Sequence, residues 1–123
     1  MVTRMRVLLL LLAVLLVLGI SSVCASARDA GEEQKIQYLI TSIENLPGIT
    51  FLRNGEEYGC RTAADHLHLK LEKAGNRVKT VEDFIRLGSK SYISGKPYKM
   101  RYPDGTTVEV EKFFRDRLKA AGY

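Results

Sequence analysis

Cys60, Asp65, His66 and His68 fall within nine positions of one another. These are the residue types of nucleophilic and metal chemistry. A thiolate attacks, an imidazole carries the proton and a third group orients the ring, and the same types ligate zinc. What they can do depends on the backbone that carries them. Ala63, Ala64, Leu67, Leu71 and Ala74 recur at helical spacing, and Gly75 follows, so the segment reads as a helix over about 60–74. On a helix, His66 and His68 point to nearly opposite sides and cannot share one ion, and the chain has only these 2 histidines. Cys60 and His66 are separated by about 240° around the axis, and Cys60 and His68 by ~12 Å along it. A cysteine–histidine pair needs hydrogen-bond reach, so a regular helix assembles neither pair. The stretch therefore holds no self-contained catalytic centre. No metal site and no cofactor are expected.

Cys60 keeps two readings. At the helix start, unpaired N–H groups and the helix dipole favour a thiolate, which makes it a reactive-thiol candidate or the bridge of a disulfide-linked homodimer. Alternatively it is a small buried apolar residue, the usual place of a free cysteine. His68 borders the core face, with Asp65 three residues before it and Glu72 four after, and reads as structural. His66 points away from that face, towards a basic region.

A second cluster lies in "SKSYISGKP", where Ser89, Ser91, Ser94, Lys90, Lys96 and Gly95 crowd a loop after a helix. The spacing does not meet the phosphate-loop pattern, because Gly88 and Gly95 are wrongly placed and Pro97 stands where a hydroxyl is required. Two readings remain: a solvated loop that positions the next strand, or an anion-binding surface of loop N–H groups, hydroxyls and the cations Lys90, Lys96, Lys99 and Arg101.

The elements that hold these residues follow from local pattern. Asp29 with Glu32 fits a capping pair, and Ile36, Leu39, Ile40, Ile43 and Leu46 give a helix over about 31–46 that stops before Pro47. "ITFLRNGEEY" is a short β-rich run with Asn54-Gly55 as a hairpin turn. Thr80 and Asp83 open a third helix as a capping box, with Val81, Phe84 and Ile85 facing inward. In "GKPYKMRYPDGTTVEV", Tyr98, Met100 and Tyr102 alternate with Lys99 and Arg101 as in a half-buried strand, and Pro103-Asp104-Gly105 turns the chain. Val110, Phe113, Phe114, Leu118 and Ala121 pattern a closing helix. The expected class is α+β, about four helices packed on a small antiparallel sheet of hairpins, in a single domain.

Ahead of that domain, Arg4 and Arg6 precede an apolar run from Val7 to Ile20, and Ala25-Ser26-Ala27 follows. A positive end, a short apolar core and small residues are the parts of a cleavable signal peptide. The run is shorter than the ~20 residues that span a bilayer. Cleavage after Ala27, or after Ala25, leaves one domain over 28–123 in the periplasm. The 19 basic residues become 17 on loss of Arg4 and Arg6, and against 14 acidic ones the net charge is +3. That is too mild to indicate nucleic acid. It is unevenly spread: residues 58–103 hold ten Lys/Arg and four Asp/Glu, residues 28–57 three and six. With Cys24 removed, Cys60 has no internal disulfide partner.

"FLRNGEEYGC", "HLHLKL", "NRVKTVEDFI" and "SKSYISGKPYKMR" resemble the shared blocks of the YfeK-like family, small exported proteins of Gram-negative bacteria with a domain of unknown function. The resemblance covers about residues 35–120, and Phe113-Phe114 departs from it. It implies export and a single compact domain, and it implies no activity and no catalytic residue. The expectation is a non-catalytic periplasmic binding or interaction module. Its candidate surface is Arg53, Asn54, His66, Ser94, Lys96 and Arg101, and its partner is an anionic envelope component or an acidic protein. The alternatives are an envelope enzyme or redox protein using Cys60, and a stress or assembly factor dimerised through it.

Overall fold

The computed structural model describes residues 28–123. The stretch read as a signal peptide, 1–27, with Cys24 and both cleavage points, lies outside the described residues. Helix α1 (Ala30–Glu44) is followed by strands β1 (Thr50–Arg53) and β2 (Glu56–Tyr58) and by helix α2 (Cys60–Ala74). After a short 3₁₀ turn, Gly75–Arg77, come α3 (Val81–Gly88), β3 (Lys99–Arg101), β4 (Thr107–Glu109) and α4 (Val110–Ala120). Four helices on one antiparallel sheet make an α+β domain, as expected.

Local chemistry explains most of the boundaries. Asn54 (φ 50°) and Gly55 (φ 80°) are both left-handed, which is what a two-residue hairpin turn of matching twist requires. Thr80 accepts a hydrogen bond from the Asp83 N–H while the Asp83 carboxylate accepts from the Thr80 N–H, a complete capping box. Gly75 closes α2 with φ 52°. Two expectations shift. Helix α1 stops at Glu44, short of Leu46, because the residue before Pro47 is driven out of helical geometry. At its other end Asp29 caps the N–H groups of Gly31 and Glu32. The Glu32 carboxylate does not turn back to complete a box. It accepts from the Val81 N–H, 2.8 Å away at the start of α3, and so joins two helix N-termini.

The sheet order is β2-β1-β3-β4. In register, Phe51 sits between Tyr58 and Met100, and Met100 beside Val108. That row faces the helices. The alternate row, with Leu52, Glu57, Lys99, Arg101 and Glu109, faces out, the one-sided pattern of a solvated antiparallel sheet. Ile36, Leu39, Ile40 and Ile43 put the whole inner stripe of α1 at 0–1% exposure. Phe84 and Phe114 meet against it with ring centroids 5.7 Å apart. Among the described residues the buried cluster runs from Ile36 to Phe114 and draws on all four helices and the sheet. No helix among the described residues is long and apolar enough to cross a membrane.

Candidate functional site

The six residues expected to form one surface occupy three places. Arg53 and His66 meet on the helix side of the first hairpin, where Arg53 Nη1 lies 3.5 Å from His66 Nδ1. The Arg53 guanidinium carbon stands 5.3 Å from the centre of the Tyr58 ring, and the same tyrosine makes an edge contact with the imidazole at 4.9 Å. Asn54 and Ser94 meet at the hairpin tip, the Ser94 hydroxyl donating to Asn54 Oδ1 at 2.8 Å. Lys96 lies on the exposed loop nearby. Arg101 stands apart on the outer face of the sheet and donates to Glu57 Oε1 at 2.8 Å.

The two histidines exchange the positions expected of them. His66 is half-buried and lines a pocket with Leu67, whereas His68 is exposed. Both flank the apolar stripe of α2. The first hairpin covers the His66 side, while the His68 side opens between Arg28 and Val78. Periodicity places the stripe but cannot say which flank another element will cover. Burial, and next the Arg53 charge, hold the His66 imidazole below its ordinary pKa, so the neutral ring is favoured. With Nδ1 accepting from Arg53, Nε2 carries the proton.

Cys60 is the first residue of α2, partly buried against the core. The helix is regular from its first turn, the Ala63 N–H bonding the Gly59 carbonyl at 3.0 Å. Six residues at ~1.5 Å rise therefore leave Cys60 about 9 Å from His66 along the axis. Among the described residues no cluster of three or more His, Cys, Asp or Glu side chains could hold a metal ion.

The loop between α3 and β3 is tightly tied. The Ser91 N–H bonds the Lys96 carbonyl at 2.9 Å, the Gly95 N–H bonds the Ser91 carbonyl at 2.9 Å, and the Tyr98 N–H bonds the Ser89 carbonyl at 2.9 Å. Ser91, 4% exposed, takes a hydrogen bond from Asn54 Nδ2 at 3.1 Å and another from the Ser94 N–H at 3.2 Å. The hairpin tip is thus latched to the loop base. From α2, the Lys70 ammonium reaches the Leu87 carbonyl (3.0 Å), the Lys90 carbonyl (2.9 Å) and the Tyr98 hydroxyl (2.9 Å). It also stands 4.6 Å from the Tyr98 ring centre. One side chain so fixes the loop at both ends.

At the apex of this braced loop stand Tyr92, 85% exposed, and Ile93, 93% exposed. Lys90, Lys96 and Lys99 are exposed beside them, and among the described residues none of the three forms an ion pair. The sequence carried a signal for this pair, two adjacent large apolar residues inside a Ser/Gly/Lys loop. Lys70 carried none, since a lysine on a half-polar helix announces nothing about the carbonyls it will meet.

Comparisons with known proteins fit this picture of one domain. The model of a family of unknown function, DUF5329, matches residues 30–121, which are α1 through the end of α4. A relative in Salmonella typhimurium (strain LT2), "Uncharacterized protein YfeK", is 41% identical over 71 residues, 57% of this chain and 59% of that protein. The match therefore spans less than two thirds of that relative's length. No solved structure matches the chain. From α1 to α4, then, the chain belongs to the DUF5329 family of unknown function, of YfeK-like proteins.

Proposed function

We propose that the domain is a non-catalytic periplasmic binding module, exported by a cleaved N-terminal leader, whose 89–99 loop docks on the anionic face of an envelope membrane. The observation that carries the reading is the pair Tyr92 and Ile93, held out in water on a loop whose base is tied by hydrogen bonds and bordered by Lys90, Lys96 and Lys99. Apolar side chains displayed beside cations match the interfacial zone of a lipid leaflet. The rings and methyls enter the acyl boundary while the ammonium groups stay with the phosphates. Bracing of the loop base by Lys70 and Asn54 lowers the backbone ordering that binding costs.

The size of the effect follows from these groups. Each lysine near an anionic surface contributes about 1 kcal/mol, and burial of the isoleucine ~2 kcal/mol. The sum of roughly 5 kcal/mol corresponds to a Kd of about 0.1–1 mM in accessible lipid, weak and reversible. Arg101 is left out of this set, because Glu57 already neutralises it.

Sedimentation of the 28–123 fragment with vesicles of phosphatidylglycerol and phosphatidylethanolamine tests the reading. Wild type co-sediments in low salt and is released as salt rises. Ile93→Ser, and Lys90→Glu combined with Lys96→Glu, each weaken the affinity for the vesicles by about thirtyfold or more with no change in Tm. Equal binding by all three proteins would remove the proposal, and so would equal binding to neutral vesicles. Retention by an acidic envelope protein with no vesicle binding would replace the membrane with that protein.

A further inference from the structure

The pocket beneath Arg53 is separate from the loop apex and has its own chemistry. Its walls are the core side of the domain: Phe51, Ala63, Leu67, Gly88, Tyr98 and Val110. It is half open and holds ≈ 40 Å³, against the ~10–15 Å³ that one water needs. That is room for the end of a small branched aliphatic group and not for a ring or a long chain. Lys70 also borders it, but its three N–H donors are already matched by two carbonyls and the Tyr98 hydroxyl. Arg53 is in the opposite condition. It has five N–H donors. Its contacts are the long one to His66 and the face of Tyr58, and no carboxylate pairs with it among the described residues. His66, neutral and accepting at Nδ1, lines the same pocket and keeps one N–H donor, at Nε2.

We infer that this pocket binds a carboxylate carrying a short branched aliphatic group, the alkyl end on the apolar wall and the carboxylate on Arg53 and His66. Charge complementarity selects an acid over its amide, because a guanidinium donates in parallel to two carboxylate oxygens. The size of the pocket selects a side chain of three or four carbons. A free short-chain acid and the C-terminus of a peptide ending in valine present the same group, so both are tested.

Heteronuclear NMR of the 28–123 fragment would follow Ala63, His66, Gly88 and the Arg53 side chain during titration. The ligands are isovalerate and acetyl-Ala-Ala-Val, each beside its amide, up to about 20 mM, which detects affinities down to the weakest single-anchor contacts. The expected result is saturable shifts at these four residues with at least one acid, and about tenfold weaker binding of the matching amide. Response to the peptide acid alone identifies a chain terminus as the ligand, and response to isovalerate alone identifies a small metabolite. Ala63→Leu should fill the pocket and abolish the shifts. Arg53→Gln alters only a half-exposed side chain, so it tests the idea even if Ala63→Leu disturbs the fold, and it should weaken acid binding about tenfold. Equal response to acid and amide overturns the inference, as does binding untouched by Arg53→Gln or no shift with either acid. Vesicle binding does not involve these residues, so its failure and the failure of this site are read separately.

Discussion

Replacing Lys70 with methionine isolates the contribution of one ammonium group, because the stem keeps almost the same length and apolar contacts. Three acceptors lose their donor: the Leu87 and Lys90 carbonyls and the Tyr98 hydroxyl. The Lys90 carbonyl is at an exposed position and turns to water at little cost. The other two are partly buried, and leaving each imperfectly solvated costs ~1 kcal/mol. The attraction to the Tyr98 ring, about 0.5 kcal/mol at such a site, is lost as well. Better burial of the thioether offsets part of this, so the net destabilisation is about 2 kcal/mol. For a domain of this length, with roughly 4–8 °C lost per kcal/mol, Tm falls by about 8–16 °C. Urea unfolding of the 28–123 fragment, followed by circular dichroism, measures the energy with an unchanged m-value. Hydrogen exchange shows where it acts, with faster exchange at the Ser91 and Tyr98 amides whose bonds close the loop. Lys73→Met, on the exposed side of the same helix, is the control and stays within ~0.5 kcal/mol of wild type. A Lys70→Met loss no larger than the control would show that the ammonium does not brace the loop.

Two further outcomes follow from the same neighbourhood. Burial and the Arg53 charge depress the folded-state pKa of His66 from 6.5, so the unfolded chain takes up the proton first. The stability this histidine contributes is full above pH 6.5 and is lost as pH falls towards the folded value. Arg53→Gln removes one cause, so the His66 midpoint in an NMR titration should rise and that loss shrink, whereas an unmoved midpoint would dissociate the two residues. Asn54→Ala should cost about 2 kcal/mol, combining a strained left-handed backbone with loss of the Ser91 and Ser94 bonds. Asn54→Gly should cost about half as much, because it relieves the first term, and urea unfolding of the pair separates turn from latch.

The features legible in the sequence are those set by neighbours along the chain. The apolar stripe of α1, the Asn54-Gly55 turn, the Thr80/Asp83 box and the Gly75 stop each depend on a few consecutive residues, and each forms as the pattern indicates. The illegible ones depend on what arrives from a distance. Glu32 caps the start of α3 rather than of its own helix, Arg101 meets Glu57 across the intervening strand, and the first hairpin covers His66 instead of His68. Asn54 and Ser94 meet because turn chemistry and a serine-rich loop both leave polar groups to be satisfied, here by each other. Arg53 belongs to the turn motif and Arg101 to the strand after the loop, and alternation along the strands turns their side chains to opposite faces of the sheet.

The strand order has a consequence for how the chain reaches this state. β1 is interior, yet its two partners are made at very different times: β2 follows it at once, whereas β3 lies about fifty positions further on. A polypeptide emerging from its N-terminus can complete the early hairpin and both long helices while Phe51 still lacks its cover from Met100. Until β3 is synthesised, β1 presents an open edge and an apolar side chain to whatever is nearby. Late pairing slows maturation and gives a chaperone, or a second nascent chain, its opening.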